Sequence, residues 1–357
     1  MESVRIQRLR NAMAKIGLEA LLITNVYNRR YMTGFTGTAG YALITQEKAV
    51  LYTDFRYRTQ APLQAKYYEV IEHLPNLTDS IKMTLNELQL ARLGFEQDHL
   101  RFGTYQEYAK KLAGIELVPT SNLVETLRLE KDDSELQVLR EAAELADRTF
   151  SHILKVLRPG LAEKDIALEI EIFLRRNGAD SSSFDTIVAS GERSALPHGV
   201  AGERKLGSNE FVKLDFGAYY KGYCSDITRT VLLGKPSDKH RQIYDIVLEA
   251  QLNVLEHLKP GMIGREADAL ARGVIAKYGY GDHFGHGTGH GLGLEIHEAP
   301  RLSVNSDTVL KPGMVVTVEP GIYLPGFGGV RIEDDVVITH NGIEIITKAS
   351  KDFIVLN

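Results

Sequence analysis

Acidic residues set inside strand-like runs are the most chemically loaded feature of this sequence. In Phe211 to Leu233, FVKLDFGAYYKGYCSDITRTVLL, Asp215 and Asp226 interrupt β-branched and aromatic stretches. Carboxylates are depleted there because a strand packs both of its faces. The two aspartates are equidistant from Tyr220-Lys221. A hairpin turning at that pair sets them opposite each other, Cβ atoms roughly 4.5 to 5.5 Å apart. That repulsion calls for a cation between them. Either residue alone could instead end a strand and face solvent, but a second occurrence argues against it. Glu319 in MVVTVEPGIY and Glu333 in GVRIEDDVVI are equidistant from Gly326 of LPGFGG. Four carboxylates on two hairpins, with an imidazole nearby, give oxygen-rich ligation for two hard or borderline divalent cations such as manganese, cobalt or zinc.

The imidazoles lie between the hairpins, in His286-Gly-Thr-Gly-His290-Gly-Leu-Gly-Leu-Glu-Ile-His297-Glu298. Glycine at 285, 287, 289, 291 and 293 excludes a metal-binding helix. In an extended chain the period of two places His286 and His290 on one face, and the glycines let backbone approach a ligand closely. No HExxH zinc-protease helix is present. His198, in Ser194-Ala-Leu-Pro-His-Gly199, sits on a turn before Asp215 and reads equally as a loop residue or a catalytic one.

Elements that must position these groups follow from periodicity. Residues 3–16 form an amphipathic helix stopped by Gly17, with strands at 20–24, 41–45 and 49–53 and a helix over 78–90. Asn28 to Gly40, NRRYMTGFTGTAG, reads as a loop that either reaches a ligand or caps the sheet. Alternating helices and strands make the first 120 or so residues a small α/β domain. A boundary falls near Pro119 to Asp133, giving domains 1–125 and 126–357. Ser134 and Gln137 are placed as a capping box opening a helix whose stripe is Leu136, Leu139, Ala143, Ala146, Phe150, Ile153 and Leu157. A second helix runs to Asn177, stopped by Gly178.

The second domain repeats itself. Leu157-Arg-Pro-Gly-Leu161 recurs as Leu258-Lys-Pro-Gly-Met262, 101 residues later, and Gly178 recurs as Gly279 at the same offset. The carboxylate pairs follow at 104 (Asp215, Glu319) and 107 (Asp226, Glu333). Two helix-helix-hairpin units imply an internal duplication that brings all four acids to one centre across a pseudo-twofold axis.

Composition sets bounds. With 357 residues, 43% of them hydrophobic, the chain has material for two sizeable cores, and a net charge of -5 argues against a nucleic-acid partner. The single cysteine, Cys224, excludes an internal disulfide framework, fits a reducing compartment and reads as a packing residue. No apolar run is long enough for a membrane span, and the N-terminal residues have no secretory-signal pattern. A soluble, cytoplasmic protein is expected.

The ordered motifs DFGA, CSDITRT, GHGTGHGLGLEIHE, TVEPGIY and VRIEDD resemble the pita-bread metallopeptidases, in the aminopeptidase P and prolidase branch. The preceding 120 residues resemble that branch's creatinase-like N-terminal domain. The resemblance implies an α/β (α+β) fold in which a small α/β domain precedes a pita-bread catalytic domain. It implies that Asp215 chelates one metal ion, that Asp226 and Glu333 bridge two, and that His290 and Glu319 complete the second site. It makes His198 and His297 the histidines that bind the substrate carbonyl and stabilise the tetrahedral intermediate, and places His286, Thr228, Tyr323 and Arg331 behind the ligands. All five ligands are present, unlike in the metal-free relative creatinase.

The expected activity is therefore metal-dependent hydrolysis of Xaa-Pro bonds in di- or short peptides, with two divalent ions, manganese first and cobalt or zinc as alternatives. Glu319 is the candidate proton carrier. Prolidase, acting on dipeptides, is favoured, with Arg301 either the clamp for the dipeptide carboxylate or an ordinary surface arginine. Aminopeptidase P, acting on longer peptides, is the alternative, and a non-catalytic binding protein on the same fold a further one. Methionine aminopeptidase is disfavoured by the extra N-terminal domain and by His297-Glu298. The resemblance also implies a homodimer in which one subunit's Asn28 to Gly40 lies near another's active site.

Overall fold

The computed structural model describes residues 3–357, which divide into two compact units, the second beginning at Leu129. In the first, α1 (Val4–Lys15), β1 (Ala20–Ile23), α2 (Val26–Thr33), β2 (Tyr41–Thr45), β3 (Ala49–Thr53), α3 (Gln60–Gln64) and β4 (Glu69–Glu72) come in turn. They are followed by α4 (Leu77–Glu87), β5 (Arg92–Glu96), α5 (Phe102–Lys111), β6 (Glu116–Thr120) and α6 (Leu123–Arg128). The strands form one mixed sheet in the order β4-β3-β2-β1-β5-β6, and Leu22, Leu43, Val50 and Leu93 pack beneath Ile81 and Leu85 of α4. The expected loop at 28–40 is corrected here. Its first part is α2, capped by the Asn25 side chain on the Tyr27 and Asn28 amides and ended by Gly34 at φ 74°. The polar residues that suggested a loop are satisfied inside the fold: buried Asn28 donates to Glu96 (2.7 Å) and Arg29 to Gly40 O (2.8 Å).

The second unit runs α7 (Asp133–Ile153), α8 (Glu163–Arg176), β7 (Ser181–Ser182), β8 (Ile187–Ser190), β9 (Glu210–Phe216), β10 (Ala218–Tyr220), β11 (Tyr223–Cys224) and β12 (Ile227–Leu233). The pattern then recurs as α9 (Asp238–His257), α10 (Gly264–Lys277), β13 (Gly289–Gly291), β14 (Glu298–Leu302), β15 (Val315–Val318), β16 (Gly321–Leu324), β17 (Gly328–Arg331) and β18 (Asp334–Ile338), followed by β19 (Ile343–Ile345) and β20 (Val355–Leu356). The repeated helix-helix-hairpin order read from the sequence is thus present, and Gly178 and Gly279 follow their helices at φ 108° and 83°. The opening cap is corrected: Asp132 caps α7 and Glu135 closes the box, because the Asp132 carboxylate reaches both the Ser134 and Glu135 amides.

Two cores lie against the outer faces of the sheets, and alternation along each strand decides what faces the other way. Val212, Leu214 and Phe216 of β9 pack on Phe150, Ile166 and Ile170 of α7 and α8; the residues between them, Lys213 and Asp215, point to the opposite face. On β15, Val316 and Val318 join the core under α9 and α10 with Val247 and Ala271, which leaves Thr317 to the opposite face. One sheet runs β20-β12-β9-β8 and the other β14-β13-β15-β18-β19, with β16-β17 as a separate ribbon.

Candidate metal centre and active site

The two acidic hairpins behave differently. Around the second, Val318 faces Asp334 on β15-β18 and Gly321 faces Arg331 on β16-β17. Both ladders keep the register centred on Gly326, as the sequence implied. Around the first, the register is displaced: Asp215 faces Thr228, and Tyr220 faces Tyr223. The turn is Lys221-Gly222, the pair with positive φ (49° and 88°), so Asp215 and Asp226 are not opposed. Asp226 instead lies at the break between β11 and β12, where a Cβ on Gly217 would fall 1.7 Å from Ser225 O. Only glycine permits that approach, and the resulting bend aims Asp226 inward.

Nevertheless the expected residues converge. One cavity of about 630 Å³ is lined by Asp215, Asp226, His290, Glu319 and Glu333, and also by His198, His286, His297, Arg301 and Arg331. Ligand atoms of Asp226, His290 and Glu333 lie within 4.8 Å of one another. His290 Nε2 is 3.6 Å from Asp226 and 3.4 Å from Glu319, and its ring meets that of His297 edge-on at 4.4 Å. Thr228 and Tyr323 stand behind this floor. Thr228 Oγ1 donates to Glu333 (2.5 Å) and accepts from Arg331 Nε (3.0 Å). Arg331 also binds Asp215 and donates to Tyr323 OH (2.9 Å), which pairs with His286 Nε2 at 2.7 Å.

Some groups had no sequence signal of their own. Thr317 Oγ1 accepts from the His290 amide (3.1 Å) and donates to Glu319 (3.1 Å). Asp268 on α10 accepts from the Thr288 amide (2.9 Å). Asp335 accepts from the Asp226 amide (2.9 Å). Lys213, wholly buried, reaches Leu196 O at 2.6 Å in the turn before His198. Only the alternation that sends Lys213 and Thr317 to the inner face could have marked these two.

Electrostatically the site is a cage of buried acids. Burial pushes Asp226 and Glu333 well above the ordinary carboxylate range, and their acidic neighbours push further: Glu333 on Asp226, Glu319 on Glu333. Burial likewise raises Glu319 to about 7. It holds His290 down to about 3 and His286 to about 4, leaving both imidazoles neutral. His297 is lowered by burial and by Arg301. Asp226 Oδ1 is buried without any hydrogen-bond partner. An orphaned carboxylate oxygen beside a neutral imidazole and a second carboxylate is a donor set that fits divalent cations.

Residues 137–340 match Metallopeptidase family M24, and residues 5–129 match the Creatinase/Prolidase N-terminal domain. The chain belongs to metallopeptidase family M24. Among solved M24-like structures, an Xaa-Pro dipeptidase from Bacillus anthracis shares 56% identity, with a TM-score of 0.97 over 99% of each chain. An X-Pro aminopeptidase from Thermotoga maritima shares 38%, with a TM-score of 0.91 over 97% of this chain and 100% of that one. The Xaa-Pro dipeptidase of Pyrococcus horikoshii is 39% identical over 98% of each chain. Among the described residues no helix is long and apolar enough to cross a membrane.

Proposed function

We propose that this M24 enzyme is an Xaa-Pro dipeptidase, a prolidase, using two divalent metal ions, manganese foremost. The observation that carries the proposal is the shared cavity: the Asp226, His290 and Glu333 donor atoms lie together, and Arg301 and two exposed histidines line the same space. Asp215, Asp226, His290, Glu319 and Glu333 would hold the ions. When bound, such ions polarise a carbonyl and make water acidic enough to supply a nucleophile near neutrality.

The chain's own side chains do the rest. His198 and His297 hydrogen-bond the substrate carbonyl and the oxyanion that develops from it. Glu319 takes a proton and delivers it to the leaving proline nitrogen, which carries no N–H of its own in the peptide. Arg331 neutralises Asp215 and, through Thr228, fixes Glu333. Arg301 binds the carboxylate of a dipeptide. A cytoplasmic homodimer, with catalytic domain 126–357 following domain 1–125, is the assembly we propose.

The test is hydrolysis of Ala-Pro beside Ala-Pro-Ala with manganese, cobalt and zinc in turn. Faster cleavage of Ala-Pro, greatest with manganese, is expected. Preference for Ala-Pro-Ala would establish aminopeptidase P instead, a reading favoured by the likeness to the Thermotoga maritima enzyme.

A further inference from the structure

The cavity holds a charge that the reaction above leaves unused. Its lining has five carboxylates: Asp185, Asp215, Asp226, Glu319 and Glu333. Asp215 is bound by Arg331, and Glu333 by Thr228. Asp226 and Glu319 lie 3.6 and 3.4 Å from His290 Nε2. Asp185 alone has no hydrogen bond or ion pair among the described residues. The Arg301 side chain is the cavity's cation in the same condition.

The backbone presents Asp185 deliberately. Ser182 faces Ala218 and Ile187 faces Asp215, so five steps along one strand run beside three along its neighbour. Two residues must be extruded between these pairs, and Phe184 and Asp185 lie in that bulge. Bulges beside sites re-aim side chains, and β8 is an edge strand, so the bulge breaks no further ladder. Phe184, Asp185 and Val200 also border a second, open depression with Lys164, Ser182 and Ala201, which Arg301 does not touch. Asp185, which is exposed, thus borders both spaces, and Arg301 borders the cavity alone.

We infer that Asp185 receives a substrate ammonium on the amino-terminal side of the scissile bond, as the counterpart of Arg301 on the carboxylate side; this rests on the peptidase reading. A dipeptide is a zwitterion at neutral pH. Its ammonium needs an anion, and every other carboxylate of the cavity is committed to Arg331, Thr228 or the metal-binding cluster. The ammonium has two possible sources, the α-amino group of the first residue or the side chain of a first-position lysine.

The experiment uses manganese-loaded wild type, Asp185→Asn and Asp185→Glu. It measures kcat/KM on Ala-Pro, Lys-Pro and Glu-Pro, and the inhibition constant of propionyl-proline, which has no ammonium. Recognition of the α-amino group lowers kcat/KM of Asp185→Asn on the order of tenfold for all three dipeptides. Propionyl-proline inhibition is then unchanged and Asp185→Glu restores most of the loss. Recognition of the side chain lowers Lys-Pro alone and raises Glu-Pro. Unchanged values for every dipeptide overturn the inference, as does an equal loss for propionyl-proline. If wild type cleaves none of these peptides, the peptidase reading fails and takes the inference with it; if wild type cleaves them and Asp185→Asn is indifferent, the inference fails alone.

Discussion

Thr228 is a sensitive test of the site because it does its work through one hydroxyl. It is wholly buried, and its Oγ1 joins Glu333 at 2.5 Å to Arg331 Nε at 3.0 Å. Thr228→Val keeps the shape and removes both bonds. A buried guanidinium N–H left without an acceptor costs about 1–3 kcal/mol. For a unit the size of residues 129–357 that lowers the melting temperature of chelated protein by roughly 2–12 °C. Glu333 also loses the donor that orients it, and losing such support typically weakens metal affinity about 10- to 100-fold, or roughly 1.4 to 2.8 kcal/mol. Titration calorimetry with manganese, alongside melts in chelator, reads both effects. Thr228→Ser, which keeps the hydroxyl, should bind metal nearly as wild type does. A Val variant within about twofold of wild type in affinity, or a Ser variant as weak as Val, would refute the reasoning.

Three further outcomes are expected. Glu319→Gln should fold but lose turnover by roughly 10²- to 10⁴-fold, since an amide can neither relay a proton nor ligate a cation as a carboxylate does; a non-catalytic binding protein would keep its partner unchanged. Arg301→Ala should raise KM for Ala-Pro more than for Ala-Pro-Ala, whose carboxylate lies one residue farther away; equal rises would remove Arg301 as the clamp. Chelation should open a pH-dependent gap in stability. Burial lifts Asp226, Glu333 and Asp335 well above the ordinary range, so their contribution is complete below about pH 4 and is lost as pH rises toward their folded values. His286 and His290, held to about 4 and 3, run the opposite way, but their contribution is complete above about pH 6.5. Lys213, pushed down to about 6 by burial, gains stability as pH rises whether or not metal is bound. As pH rises past about 6.5 and the caged carboxyls of chelated protein give up their protons, the difference between metal-loaded and chelated melting temperatures should therefore widen. A constant or shrinking gap would count against the cage of buried acids.

The sequence by itself determined the acids, the histidines and the repeated helix-helix-hairpin order, because these depend on residue type, period and glycine stops that act locally. It also determined the Glu319–Glu333 register, since apolar alternation on both strands and the glycines of LPGFGG agree on one turn. The first hairpin was less legible. Its turn is set by Lys221 and Gly222 at positive φ, and its aspartates are separated by the bend at Gly217, a close approach that only neighbouring strands reveal. Tertiary structure alone decided the fates of Glu333, Asp334 and Asp335, three consecutive acids with one local chemistry. Glu333 meets Thr228 in the cavity, Asp334 pairs with buried Arg229, and Asp335 holds the Asp226 amide. A strand fixes only that neighbours alternate in direction; what stands opposite each side chain is contributed by segments roughly a hundred residues away.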